Sequence, residues 1–181
     1  MAAGIGAGRF GLTLRLAAPG VPSMAVALSR FQGQVVDFQP YWETSFKPIW
    51  RDWITQAFRT QGASTGAPWA PWSPRYAAWR QKHGAGGQGI LVLHGSLSAS
   101  LINPDRDAFG VWRASRTSLE VGTRRPWAIV HQTGSRNGRI PARPPIRPTP
   151  ELMTQLGKEL QRFVVTSWSA ARQQSSSYSG A

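Results

Sequence analysis

Apolar and polar residues alternate from Phe10 to Leu16. Phe10, Leu12, Leu14 and Leu16 fall on one side, Thr13 and Arg15 on the other. This period of two predicts a strand with one buried face, closed by Pro19-Gly20. Residues 1–9 before it read as a flexible tail. From Pro22 the spacing changes to that of a helix, with Met24, Val26, Ala27, Leu28 and Phe31 on one side and an end near Gly33. A longer helix is predicted from about Asp37 to Thr60. Asp37 suits an N-cap and Pro40 is tolerated in a first turn. Trp42, Phe46, Ile49, Trp50, Trp53, Ile54, Ala57 and Phe58 recur every three or four residues, a broad apolar stripe that belongs in a core or subunit contact. Pro48 lies inside the stripe and is expected to kink or split the helix.

Gln61 to Pro68 is a Gly/Ala/Ser/Thr linker. Trp69 and Trp72 then sit among prolines in extended or turn geometry. Ser73 with Pro74 predicts the cap and first position of a short helix. In it Tyr76 and Trp79 face one way and Arg75, Arg80 and Lys82 face outward, with a stop at Gly84. The run Ile90-Leu91-Val92-Leu93 reads as buried, and the chain turns helical after His94-Gly95. Two strands, Phe109–Ala114 and Ser118–Gly122, are joined by a hairpin turn at 115–117. Pro126–Gln132 reads as a short helix. The final helix runs from Glu151 to about Ala171, capped by Thr149 with Pro150 at its first position. Its stripe is Leu152, Leu156, Leu160, Phe163, Val164 and Trp168. Residues 172–181 are polar and expected to be a disordered tail. These elements describe one α+β domain over residues 10–171. It has a small, mostly antiparallel sheet packed against two or three helices and an extended Pro/Arg-rich arm between His131 and Glu151.

Charge narrows the picture. The 181 residues carry 21 Lys+Arg against 8 Asp+Glu, a net charge of +13. Eighteen of the cations are arginines, which favours planar, two-pronged contacts to phosphate or carboxylate. Such an excess implies a polyanionic neighbour, although an Arg-rich genome alone produces scattered arginines, and no block of five like charges exists. The absence of cysteine excludes disulfides and thiolate metal sites. No apolar run approaches membrane-spanning length, and the N-terminus reads as mature protein, not a signal.

Candidate chemistry is sparse. His83, His94 and His131 have no ligand spacing, so neither a metal nor a cofactor is expected. The GSL after His94 is not a nucleophile elbow, and GAGGQG lacks the lysine of a phosphate-binding loop. Asp105 and Asp107 are the one close acid pair and read as loop acids. No enzyme is expected. Arginines cluster after Arg113, but on strands and loops, not along one recognition helix. This leaves electrostatic contact to a polyanion, or docking on an acidic protein face. A stand-alone basic nucleic-acid-binding protein is the alternative reading.

Four ordered stretches carry a resemblance: WAPWSPRYAAWRQKHG, GILVLHGSLSASL, VGTRRPWAIVHQTG and IPARPPI. Together, over about residues 67–165, they resemble the tail-completion (virion morphogenesis) family of Mu-like and P2-like tailed phages. Departures from the family pattern are Trp127 where Tyr is usual, Pro145-Ile146 for Phe-Leu, Trp72 for Leu, and His94 for Thr or Asp. The resemblance implies a non-enzymatic virion protein that completes or terminates the tail at the head–tail joint, or neck. Such a protein is assembled in the host bacterial cytoplasm. It implies a homo-oligomeric ring around the DNA channel, with six subunits the natural expectation. Its neighbours would be tail tube, tail sheath and head-connector proteins, with non-specific contact to packaged DNA and none to membrane. Within that frame Trp69, Trp72, Trp127, His131, Ile140, Arg143 and Ile146 are expected at subunit or partner interfaces. His131 and Gln132 would hold the turn that launches the arm, Ile140 and Ile146 would anchor it in apolar pockets, and Arg143 would meet a carboxylate or carbonyl. Arg124, Arg125, Arg136 and Arg139 are the candidates for reaching the DNA channel or an acidic partner.

Overall fold

The structure, a computed structural model, describes residues 2–8, 11–17 and 37–178, with side chains over 37–168. The helix expected from Pro22 to Gly33 lies outside the described residues.

Four strands form one antiparallel sheet: β1 (Ala2–Gly8), β2 (Gly11–Ala17), β3 (Gly110–Ala114) and β4 (Ser118–Thr123), in the order β1-β2-β4-β3. β3 and β4 are the predicted hairpin. Ser115 N–H donates to the Ser118 carbonyl at 2.8 Å, leaving Arg116 and Thr117 as a two-residue turn. Period-two alternation sets the faces. Leu119 and Val121 are fully buried, while Glu120 between them pairs with Arg113, its register partner, at 3.2 Å. The expected tail over residues 1–9 is corrected here, since Ala2–Gly8 pairs with β2 as an edge strand. Its small residues give no alternating side-chain signal, so only backbone pairing defines it.

The first described helix, α1, runs as Gln39–Tyr41, a π-helical turn Trp42–Phe46, and Lys47–Arg59. The π turn places the effect of Pro48. A proline in the helix has no N–H for the preceding turn, and the widened turn, with Lys47 N–H donating to the Trp42 carbonyl, absorbs the mismatch. The stripe packs inward as its spacing predicts: Trp42, Phe46, Trp50, Ile54 and Ala57 are buried. Burying an indole removes its N–H from water, so a partner is needed. Trp42 Nε1 donates to the Ser115 carbonyl at 3.0 Å and Trp50 Nε1 to the Leu101 carbonyl at 2.8 Å. These bonds tie α1 to the hairpin and to α3 (Ser96–Ile102). Ser100 of α3 in turn meets Thr123 of β4 at 2.9 Å.

The last helix, α5, is Pro150–Tyr178. Thr149 Oγ1 accepts from Leu152 N–H at 3.3 Å as its cap, and Leu152 and Leu156 enter the core. Tyr41 Oη donates to the Leu156 carbonyl at 3.1 Å, and burial pushes the Tyr41 phenol well above its ordinary pKa. The polar tail expected from residue 172 is instead helical to Tyr178. Its Arg, Gln and Ser residues contain no breaker before Gly180, so a helix nucleated by the packed half propagates.

The acids act structurally. Burial opposes ionisation of Asp105, yet hydrogen bonds from Arg51 and the charges of Lys47 and Arg51 hold its carboxyl below the usual value. Asp107 faces Arg125 at 3.6 Å and accepts from Phe109 N–H at 2.8 Å. The close acid pair is therefore divided between separate cations, Lys47 and Arg51 for Asp105 and Arg125 for Asp107.

Candidate functional site

The Pro/Arg-rich segment that the sequence singles out is fixed to its own domain. α4 (Ala128–Thr133) precedes it, and residues 141–149 have neither helix nor strand. Gln132 on α4 reads the backbone of Ile146 from both sides: its Nε2 donates to the Ile146 carbonyl at 2.7 Å, and its Oε1 accepts from Ile146 N–H at 3.3 Å. Ile146 is fully buried, as an anchor should be. Arg143 is 8% exposed. Its Nε donates to the Ala70 carbonyl at 2.6 Å and one Nη to the Pro71 carbonyl at 2.8 Å. Trp69 packs edge-on against Phe58 and donates its indole N–H to the Pro144 carbonyl at 3.1 Å. The Trp-Pro segment and the Pro/Arg segment, some 70 residues apart in sequence, thus clasp one another. Stiff prolines lower the entropy lost on forming this clasp. Expected at an interface, Trp69 and Ile146 are buried within their own chain, and the carbonyl partners of Arg143 also belong to that chain. Ile140, expected in an apolar pocket, is exposed, because the turn before Pro141 carries it outward.

Beside this clasp lies a cleft of about 240 Å³. One wall is α2 (Pro74–Lys82). Ser73 caps it as predicted, accepting from Tyr76 N–H at 3.4 Å. Trp72, Tyr76, Trp79 and His83 form a continuous aromatic ladder along it, with ring centroids 6.2, 5.7 and 4.4 Å apart. Trp127 and His131, at the start and middle of α4, also line it, as do residues 90, 91 and 93–97. Leu91 there adopts φ +63°, a left-handed conformation that costs a branched residue about 1 kcal/mol or more. Arg80, expected outward, is turned in and buried. Its Nε and one Nη donate to the Ala85 carbonyl at 3.1 and 2.8 Å, and its guanidinium lies 4.1 Å from the Trp72 ring centroid. The GAGGQG loop supplies that carbonyl and the Gln88 carbonyl, 3.3 Å from the same guanidinium, a role its composition does not announce.

The cleft's electrostatics are one-sided. Arg80 and Arg143 line it and no carboxylate does. Burial, then the charge of Arg143, lowers the His131 pKa below its ordinary value, and His131 Nδ1 is buried with no hydrogen-bond partner among the described residues. Burial likewise lowers the Arg143 pKa. Trp127, Tyr76 and Trp79 are all more than a third exposed. Trp72, Trp127, His131 and Arg143 are therefore brought together at one cleft, while Trp69, Ile140 and Ile146 are not part of it. Tyr76 and Arg80 join it without having been expected there; the period of Trp72, Tyr76, Trp79 and His83 is the sequence signal that reveals the ladder.

The four basic candidates divide in two. Arg124 donates to the Ala108 carbonyl at 2.9 Å, and Arg125 packs 4.1 Å from the Phe109 ring centroid beside Asp107. Both serve the β3 approach. Arg136 and Arg139 instead sit exposed on a closed turn. Ser135 N–H donates to the Ile140 carbonyl and Ile140 N–H to Ser135 Oγ, both at 2.8 Å, and Asn137 Oδ1 accepts from Ser135 Oγ at 2.8 Å. Gly138 at φ +69° completes the turn. Neither arginine has an ion pair among the described residues. Among those residues, no group of three His, Asp or Glu is placed to hold a metal, and no helix is long and apolar enough to cross a membrane.

Comparison with known proteins agrees with the ordered motifs. The protein described as capsid assembly protein G of Escherichia phage Mu is 33% identical over 96 residues. The alignment covers 49% of this chain and 56% of that relative, so the chain spans little more than half the length of the curated relative it matches. No solved structure matches. The family model for phage virion morphogenesis proteins matches residues 51–164, which takes in α1 from Arg51, the clasp, the aromatic cleft, the basic turn and the first half of α5. The chain belongs to the phage virion morphogenesis family.

Proposed function

We propose that this protein is a structural component of the virion that completes or terminates the phage tail at the head–tail joint. In this reading it works as a ring around the DNA channel, with six subunits the natural number for a tail. Its partners are tail tube, sheath and head-connector proteins, and its role is architectural, not catalytic. Membership of the family and the Mu relative's description as a capsid assembly protein support a part in building the particle. The place at the neck rests on the four motifs and on one observation: Arg136 and Arg139, without an ion pair among the described residues, sit at the tip of a turn closed by its own hydrogen bonds. Cations on a turn whose backbone is already closed are open to an external polyanion, and contact need order only their side chains. Packaged DNA or an acidic neighbouring ring fits that tip.

The same tip favours a second reading, a stand-alone nucleic-acid-binding protein. The two separate in a lysate of a phage lacking the gene. The neck reading expects filled heads and finished tails lying unjoined by electron microscopy. Absence of filled heads, or joined particles of normal appearance, would contradict it. Tight, salt-sensitive binding of free DNA by a monomer, with virions intact in the gene's absence, would establish the second reading.

A further inference from the structure

The aromatic cleft is a built pocket with no occupant among the described residues. Its lining joins aromatic rings and leucines with His94 and Ser96, and two guanidinium groups lie in it whose hydrogen bonds among the described residues go only to carbonyls. One Nη of Arg143 has no hydrogen bond among the described residues. Buried cations without a counter-charge make the pocket complementary to a carboxylate, and the exposed faces of Trp127 and Tyr76 make it complementary to an apolar side chain.

This chain is poorly equipped to supply both. Five of its eight acids, Glu43, Asp105, Asp107, Glu120 and Glu159, are in ion pairs within the chain. Asp37 and Glu151 sit at the starts of α1 and α5, and the eighth acid, Asp52, is exposed within α1 and outside the cleft's lining. Residues 1–36 and 169–181 contain no acid at all. A single-stranded nucleic acid is a poorer match as well. Its phosphates need an open groove lined by exposed cations, whereas the cations here are 1% and 8% exposed and the exposed Arg136 and Arg139 lie outside the lining.

We propose that the cleft is the docking site for an apolar, acid-bearing peptide segment of another virion protein. Its apolar side chain lies between Trp127 and the Trp72 and Tyr76 rings, and its carboxylate meets the free edge of Arg143. The proposal rests on the assembly role above and names the chemistry of one partner in it.

The test is a displayed random heptapeptide library selected on the full chain and counter-selected on the Trp127→Ser variant. Trp127 is 45% exposed, so this substitution leaves the core intact; Tyr76→Ser, at 39%, is a second such variant. Selected sequences are expected to pair Asp or Glu with a neighbouring apolar residue. Synthetic versions should bind about tenfold or more weakly when the acid becomes its amide, and likewise to either variant. No selected binder, binders without acids, or binders indifferent to both substitutions would overturn the proposal. So would displacement by oligothymidylate, or an oligomer that Trp127→Ser splits, which would assign the cleft to nucleic acid or to a second copy. In the phage, the double variant should fail to replace the wild-type gene. If it succeeds while the gene remains essential, the cleft is idle and the assembly role stands. If the gene proves dispensable for virions, the assembly role itself fails.

Discussion

Removing the Arg143 side chain tests the clasp. In Arg143→Ala, two hydrogen bonds from a charged donor are lost, at 2.6 and 2.8 Å, to the carbonyls of Ala70 and Pro71. Each such bond contributes about 1.5–3 kcal/mol net. Two opposing effects reduce the sum. Guanidinium burial, which costs free energy in the native state, is relieved. Pro71 is exposed and Ala70 half-buried, so water can reach the freed carbonyls. We expect a net destabilisation of about 2–4 kcal/mol. Arg143→Lys keeps a charge but cannot present two parallel donors, and should lose about half as much. Urea unfolding followed by tryptophan fluorescence measures both, since Trp69 and Trp72 flank the clasp. With a slope of about 2 kcal/mol per molar urea, the Ala variant's midpoint should fall by about 1–2 M at unchanged slope. A loss below about 0.5 kcal/mol, the range of an ordinary surface substitution, would refute the clasp as a structural unit.

Gly62→Ala should destabilise by more than about 2 kcal/mol, combining a left-handed φ of +88° with a new Cβ 2.5 Å from Trp69 Cδ1; an unchanged thermal midpoint would contradict this. His131 has a folded pKa below its unfolded value, so the unfolded chain takes up the proton first. Its contribution to stability is present above about pH 6.5 and is lost as pH falls toward the folded pKa. Denaturation curves at pH 7.5 and 5.5 should therefore differ less for His131→Gln than for the wild type, and equal differences would contradict that assignment. Replacing Arg136 and Arg139 by Ser should change stability by less than about 0.5 kcal/mol. It should also lower the slope of log DNA affinity against log salt by up to about 1.8 if both reach phosphate, and an unaltered slope would remove DNA from their role.

Much of the fold is legible in the chain because the signals are local. Ser73-Pro74 and Thr149-Pro150 mark helix starts by capping chemistry, and the alternation through Leu119 and Val121 marks the inner face of the hairpin. Illegible parts depend on distant partners or on backbone alone. Arg80 looks like a surface cation until the carbonyls of Ala85 and Gln88 and the ring of Trp72 close around it. β1 is built from small residues whose only signal is pairing. Ile140 and Ile146 look alike in sequence, yet Gln132 holds only Ile146 inside. The cleft joins residues near positions 72, 127 and 143, so no single stretch displays it. The approximate end of α5 was also hidden, because helix propagation into 172–178 depends on the packed half before it.

The most direct test of the central claim is the position of the protein in the particle. Intact virions carrying a gold-labelled copy of the chain, imaged by electron microscopy, should show the label at the junction of head and tail. Label on the capsid faces or at the distal tail tip, or none on finished virions, would contradict the account.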